Sequence, residues 1–161
     1  MSRQPRSHRR ALFGALCVIT LASVAGAAGV WQHLDLRKPR PDLANLRYGP
    51  FDRDVLDLWR IPRSVAQPGP APLVVFFHGA GFLGGDKSSV PGWLVTRCLA
   101  EGISVASANY RLSTQAPFPA PMLDGARAIQ FLRSRAGELG IDPKRIAACG
   151  NSAYAGWPRS R

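Results

Sequence analysis

Continuous apolar runs and stretches of helical periodicity alternate through the second half of the chain. The runs LVVFF at 73–77, ISVASA at 103–108 and RIAAC at 145–149 are typical of strands buried on both faces of a parallel sheet. Residues 91–101 begin with a proline and stop before a glycine, which predicts a helix. A second helix is predicted over 121–136, because apolar residues recur there at spacings of three and four: Met122, Ala126, Ile129, Leu132 and Ala136.

This alternation of strands and helices predicts an α/β domain. Its sheet is expected to be mostly parallel and flanked by helices, with right-handed crossover connections. An earlier run, DVLDLWRI at 54–61, is a further predicted strand, and the Pro-Gly-Pro sequence at 68–70 marks a turn after it. We assign residues 51–161 to the domain. The residues at 28–50, polar and proline-rich from about Gln32, are expected to form a linker.

The amino-terminal segment has the pattern of an export signal. Residues 11–31 contain no charged side chain and directly follow the basic stretch RQPRSHRR at 3–10. The small residues Ala25-Gly26-Ala27 favour a signal peptide over residues 1–27, cleaved before Ala28. The apolar span is also about long enough to cross a bilayer, so an uncleaved signal-anchor helix remains open. Either route predicts export to the periplasm or medium, or membrane association through residues 11–31.

Composition and charge narrow the function classes. A chain of 161 residues with 46% apolar content is expected to fold as one globular domain, either whole or partial. The formal net charge is +11, and four arginines lie in the first ten residues. The later basic residues are scattered among carboxylates and form no stripe with aromatic residues, which disfavours nucleic-acid binding. Cys98 and Cys149 are expected to be free thiols packed in the core rather than a disulfide.

The loop HGAGF at 78–82 directly follows the first buried strand. Ligands bind at the carboxyl edge of such sheets, where this loop is expected to lie. Small residues let the backbone turn sharply and direct consecutive N–H groups into a cleft, where they can hold a developing oxyanion. A tight turn without a function is the alternative. His78 is not expected to bind a metal, because no nearby residue gives it a ligand pair at metal spacing.

The loop GNSA at 150–153 follows the last buried strand. A serine at a strand-to-helix corner, with a small residue two positions before it, matches the first half of a nucleophile elbow. This corner would project the hydroxyl of Ser152 away from the backbone and present the N–H of Ala153 as an oxyanion donor. The sequence Gly-Asn-Ser alone is common in loops that have no catalytic role. Its combination with the HGAGF loop makes the pattern specific.

The segment from about Tyr48 to Ala153 resembles the amino-terminal half of an α/β-hydrolase carboxylesterase of the hormone-sensitive-lipase and bacterial feruloyl-esterase-like groups. Four blocks carry the resemblance: HGAGF at 78–82, SANYRLS at 107–113, APFPAPMLDGARAIQFLRS at 116–134 and GIDPKRIAACGNSA at 140–153. The resemblance implies a partial α/β-hydrolase fold and hydrolysis of a small carboxylic ester without a cofactor.

The resemblance also implies roles for individual residues. Ser152 would be the nucleophile, and the oxyanion would be held by backbone N–H groups of Ala80, Gly81 and Ala153. The residues expected to support the oxyanion loop are His78, Gly79, Asn109, Tyr110 and Arg111. Asp124 is expected to pair with Arg127 or Arg111.

Two departures from the family pattern change the expected activity. The nine residues after Ser152, AYAGWPRSR, contain no Asp, Glu or His, although the acid and the histidine follow the serine in this fold. Position 154 is Tyr where the elbow pattern has a glycine, because the strand and helix backbones nearly touch there. A truncated and inactive serine esterase is therefore expected. A non-catalytic binding module, exported or membrane-anchored, is the alternative, and the HGAGF loop disfavours a serine peptidase of the same fold.

Overall fold

The computed structural model describes residues 38–61 and 69–152. The predicted signal or anchor segment lies outside the described residues, as do Ala153, Tyr154 and the linker as far as residue 37. No helix within the described part of the chain has the length and apolar character needed to cross a membrane.

Five strands form one mixed sheet. The strands are β1 (Leu43–Arg47), β2 (Val55–Trp59), β3 (Ala71–Phe77), β4 (Ser104–Ala108) and β5 (Ile141–Gly150), in the spatial order β1-β2-β4-β3-β5. β3 lies between β4 and β5 and pairs with both in parallel. β2 pairs with β1 and β4 in antiparallel fashion. The predicted α/β sheet is therefore confirmed, but half of its strand pairings are antiparallel, which corrects the expectation of a mostly parallel sheet.

Helices cover both faces of the sheet. They are α1 (Gly92–Ala100), α2 (Ala120–Ser134) and the short α3 (Ala136–Leu139), and a 3₁₀ turn covers Lys87–Ser89. The α1 side chain of Val95 packs with Phe76 and Val105 in one apolar cluster. Ala128 and Leu132 of α2 belong to a separate, larger cluster. The connections β3–α1–β4 and β4–α2–β5 cross the sheet in opposite directions. Because crossovers between parallel strands are right-handed, α1 and α2 lie on opposite faces of the sheet.

Strand β1 lies inside the predicted linker. Its burial pattern lacks regular alternation, because the register with β2 shifts between Leu43 and Leu46. Asn45, which has a φ of 56°, occupies this irregularity and donates its N–H to Asp57 Oδ1 at 2.9 Å. Leu43 and Leu46 both pack against the larger core cluster. Their spacing of three hides the two-residue period by which a strand is recognised.

Strand β5 is less buried than its sequence predicts. The side chains of Ala147, Ala148 and Cys149 are exposed, and among the described strands only β3 pairs with β5. The expectation that Cys149 packs in the core is therefore wrong, because no described element covers this part of β5. Cys98 is half-buried beside the α1 cluster, and both thiols are free, as expected.

A buried carboxylate ties α2 to the carboxyl end of β4. Asp124 is fully buried and accepts two hydrogen bonds of 2.7 Å from the side chain of Arg111, and one of 3.1 Å from Arg127. Both partners expected for this carboxylate therefore contact it. Arg127 Nη1 also lies 3.4 Å from Asp54 Oδ2. Burial is the main cause that raises the pKa of the Asp54 carboxyl group. This network fixes the start of β2, the end of β4 and α2 relative to one another.

Removing this carboxylate should destabilise the domain strongly. We expect Asp124→Ala to lower the free energy of unfolding by about 3 kcal/mol or more, because it removes the carboxylate partner of the largely buried Arg111 and one of the two carboxylates paired with Arg127. Urea denaturation followed by circular dichroism measures the change. Glu138→Ala is the matched control, since Glu138 forms an exposed ion pair with Arg135 and should contribute little. A loss for Asp124→Ala no larger than the control would contradict this role.

Candidate functional site

The two loops identified from the sequence leave the sheet side by side. β3 and β5 are parallel neighbours, and Phe77, the last residue of β3, is in register with Gly150, the last residue of β5. The HGAGF loop begins directly after Phe77, and Asn151 and Ser152 follow Gly150. Both loops therefore begin at the same edge of the sheet, at adjacent positions.

Ser152 has an unusual backbone conformation. Its φ is 57°, and it is exposed at the end of β5. A positive φ costs a non-glycine residue free energy and occurs mainly where the surrounding structure requires it, often at functional sites. A sharp, strained turn directly after a strand is the geometry expected of a nucleophile elbow.

Gly79 lies against the serine turn. A Cβ atom placed at Gly79 would lie 2.8 Å from the backbone oxygen of Asn151 and 3.0 Å from the Cβ of Ser152. Real side chains do not tolerate such an approach to a backbone oxygen. Glycine at position 79 therefore permits the contact between the HGAGF loop and Ser152.

The HGAGF loop has three successive residues with positive φ: 78° at Ala80, 60° at Gly81 and 64° at Phe82. The turn is closed by a hydrogen bond from Leu83 N–H to the oxygen of Ala80. Phe82 is fixed through its oxygen, which accepts from Ser113 N–H at 2.8 Å. Neither the N–H group of Ala80 nor that of Gly81 has a protein acceptor in the part of the chain that the structure describes.

His78 is a buried anchor at the base of this loop. Its Nδ1 lies 3.0 Å from the oxygen of Gly79, and its ring stacks on Tyr110 at 4.2 Å between centroids. The Tyr110 hydroxyl donates to the His78 backbone oxygen at 2.5 Å. Burial lowers the pKa of His78 below its ordinary value; the hydrogen bond with the Gly79 oxygen opposes this shift and the nearby Arg53 adds to it, so the neutral form predominates at pH 7. Burial also raises the pKa of Tyr110 to about 12.

Asn109 fixes the segment that follows the loop. Its side-chain oxygen accepts from Lys87 N–H at 2.6 Å, and its amide group donates to Asp86 Oδ2 at 2.8 Å. Burial of Asp86 opposes its ionisation, but hydrogen bonds from the Ser88 N–H and from Asn109 outweigh burial and lower its pKa to about 2. The 3₁₀ turn after the loop is thereby held to the end of β4.

The structure does not place Arg111 or Ala153 in the roles predicted for them. Arg111 does not bond to the HGAGF loop. Its guanidinium group instead pairs with Asp124 and stacks on Phe51, with the guanidinium carbon 3.6 Å from the ring centroid. Ala153, the third expected oxyanion donor, lies outside the described residues.

Arg53 contacts the site residues His78 and Tyr110, although the sequence analysis does not predict it. It lies between β1 and β2, where its side chain reaches His78, Gly85 and Tyr110. No local motif surrounds it, and 25 positions separate it from His78. Only the pairing of β2 with β4, which brings the start of β2 to the carboxyl end of β4, could have indicated its location.

The close contact at Gly79 gives a direct test of the site geometry. Gly79→Ala should destabilise the chain by ~1–3 kcal/mol, because the new methyl group must displace the Asn151 backbone. Thermal or urea unfolding measures this loss. Gly84→Ala, two residues after the HGAGF loop, is the control, since a Cβ there meets no atom within 4 Å. Equal stability of the two variants would show that the loops do not touch.

Comparison with known proteins agrees with this geometry. The BD-FAE family model matches residues 56–156. Esterase LipI of Mycobacterium tuberculosis is 33% identical over 92 residues, which are 57% of this chain and 29% of that protein. Carboxylesterase NlhH of the same organism is 42% identical over 85 residues, 51% of this chain and 26% of NlhH.

A solved structure extends the similarity to three dimensions. A truncated form of a carbohydrate esterase from gut microbiota superposes with a TM-score of 0.63 at 26% identity, covering 73% of this chain and 43% of the other. The chain thus spans less than half the length of these relatives. The matched model, the parallel β3–β5 pair and the two loops agree, and the chain belongs to the BD-FAE family of α/β-hydrolase carboxylesterases.

Proposed function

We propose that this chain carries the nucleophile and oxyanion half of a serine carboxylesterase site. The observation that supports this most strongly is the contact between Ser152, in its strained conformation, and Gly79 of the loop that presents unpaired N–H groups. A nucleophile and oxyanion donors must converge on one carbonyl group for acyl transfer. Neither loop alone would meet that requirement.

The proposed reaction begins with attack of Ser152 Oγ on the ester carbonyl carbon. The new O–C bond displaces the carbonyl π electrons onto oxygen, and the N–H groups of Ala80, Gly81 and Ala153 hold the resulting oxyanion. Collapse of this intermediate expels the alcohol and leaves an acyl group on Ser152, which water then hydrolyses. The serine proton must pass to a base, and the alcohol must receive a proton.

His78 is a poor candidate for that base. It is the one histidine in the described ranges, its ring is buried, and its Nε2 faces Arg53 at 3.2 Å. We therefore propose that the 161-residue chain by itself does not turn over esters at an enzymatic rate. Loss of the base alone lowers the rate of a serine hydrolase on the order of 10⁴-fold or more, and binding with oxyanion stabilisation accounts for what persists.

The surroundings of the site favour a substrate with apolar groups. Large apolar side chains are exposed directly after the HGAGF loop, in the first turns of α1 and α2, and just before α2: Leu83, Trp93, Leu123 and Phe118. Both helices start from the carboxyl side of parallel strands, so these residues share the sheet edge of Ser152. Exposed apolar groups at such an edge are typical of ligand-binding surfaces.

Hydrolysis of p-nitrophenyl acetate tests the proposed inactivity of the 161-residue chain. The 161-residue chain should hydrolyse the ester no faster than Ser152→Ala. Serine-dependent turnover at the rate of ordinary esterases would refute the inactivity. Ser134→Ala, at an exposed helix end, is the control for a serine outside the site.

A chimera tests the nucleophile itself. Residues 1–152 are joined to the part of carboxylesterase NlhH that follows its matched segment. This added part is expected to supply the general base. Chimeras that melt cooperatively should hydrolyse the ester, and Ser152→Ala should lower the rate by about 10³-fold or more. A folded chimera whose rate is insensitive to Ser152 would favour the binding-module alternative.

Export is a separate proposal that rests on residues 1–31. We propose that the basic residues and apolar segment direct export, with cleavage before Ala28 or retention as an anchor. Amino-terminal sequencing of protein from fractionated cells should find Ala28 as the first residue in the exported fraction, or Met1 in the membrane. Recovery of the uncleaved chain only from the cytosol would contradict export.

A further inference from the structure

We propose that Arg53 is a positioning residue that orients the Ala80 N–H toward the oxyanion. This inference rests on the proposed esterase function, and it adds a residue from outside the two loops. Arg53 does not touch the reacting atoms. It would act through the imidazole of His78 and the peptide group between Gly79 and Ala80.

The Arg53 side chain joins three parts of the site. Its Nε donates to the Tyr110 oxygen at 2.7 Å, and its Nη2 donates to the Gly85 oxygen at 2.8 Å. The same Nη2 lies 3.2 Å from His78 Nε2. Arg53 thus connects the residue just after β4 to His78, where the HGAGF loop begins, and to Gly85, in the segment that follows the loop.

The contact with Arg53 determines where His78 carries its proton. A guanidinium group offers only donors, so His78 Nε2 must accept and is therefore unprotonated. The neutral ring then carries its proton on Nδ1, which donates to the Gly79 oxygen at 3.0 Å. The opposite tautomer would direct an N–H of the ring at Arg53 and a lone pair at the Gly79 oxygen.

The orientation of the Gly79 oxygen determines that of the Ala80 N–H, because both belong to one planar trans peptide group. In such a group the C=O and N–H bonds point in opposite directions. When His78 holds the oxygen on the buried side, the N–H of Ala80 points to the other side, away from the imidazole. A rotated peptide would remove this donor from the cleft.

The charges around His78 oppose each other. Arg53 disfavours the imidazolium form, whereas Asp86 favours it. Tyr110, whose hydroxyl is 3.0 Å from Nδ1, remains neutral at pH 7 because its pKa is about 12. Loss of the Arg53 charge should therefore raise the pKa of His78.

Nitrogen-15 NMR of histidine-labelled chain tests the first step. His8→Gln and His33→Gln assign the spectrum, and the wild-type His78 resonances should show a neutral ring protonated on Nδ1 at pH 7. Arg53→Gln should shift the population toward the Nε2-protonated form and raise the pKa of His78 by roughly half a unit or more. Arg60→Gln, at an exposed arginine after β2, should change neither quantity. A wild-type ring protonated on Nε2, or an Arg53→Gln spectrum like wild type, would overturn the proposal.

The NlhH chimera tests the consequence for catalysis. Arg53→Gln should lower kcat about tenfold or more with little change in KM, because an oxyanion donor acts mainly in the transition state. Arg53→Lys retains the charge but cannot span three acceptors, so its kcat should be intermediate. An unchanged kcat in Arg53→Gln would refute the positioning role. An inactive chimera in which His78 is still protonated on Nδ1 would instead count against the proposed esterase function.

Discussion

The parallel pairing of β3 with β5 is the constraint on which the rest of the site depends. These strands are far apart in sequence, yet their last residues, Phe77 and Gly150, are in register. Each strand is followed at once by a loop with an unusual backbone. Had the register shifted by two residues, the loops would start about 7 Å apart along the strands, and Ser152 could not contact Gly79.

The contact between these loops needs support on both sides. Positive φ angles at Ala80, Phe82 and Ser152 are unfavourable for residues with side chains, so the surroundings must hold them in place. On the HGAGF side, His78 hydrogen-bonds the Gly79 oxygen, and Asn109 holds Lys87 in the segment that follows the loop. They come from the ends of β3 and β4, which are themselves among the most buried strands of the sheet. The HGAGF loop is therefore attached to a deeply buried part of the sheet.

Much of this could be predicted from the sequence, because buried parallel strands are continuously apolar and the loops at their carboxyl ends contain distinctive small residues. The strands β3, β4 and β5 and both longer helices were identified in this way. Strand β1 was missed because its bulge at Asn45 breaks the two-residue alternation. The exposure of Cys149 was missed because an apolar run does not reveal whether a neighbouring element covers it. Arg53 was missed because its partners are distant in sequence and are mostly backbone oxygens, which leave no pattern in the residue types.

Contact between Ser152 and Gly79 of the HGAGF loop can be measured as a nuclear Overhauser effect between protons of the two residues. A Cβ at Gly79 would replace one of its two α-protons, and that position lies 3.0 Å from the Cβ of Ser152. We therefore expect a strong cross-peak between a Gly79 α-proton and the Ser152 β-protons in the folded chain. A folded chain with both residues assigned and no such cross-peak would contradict this contact.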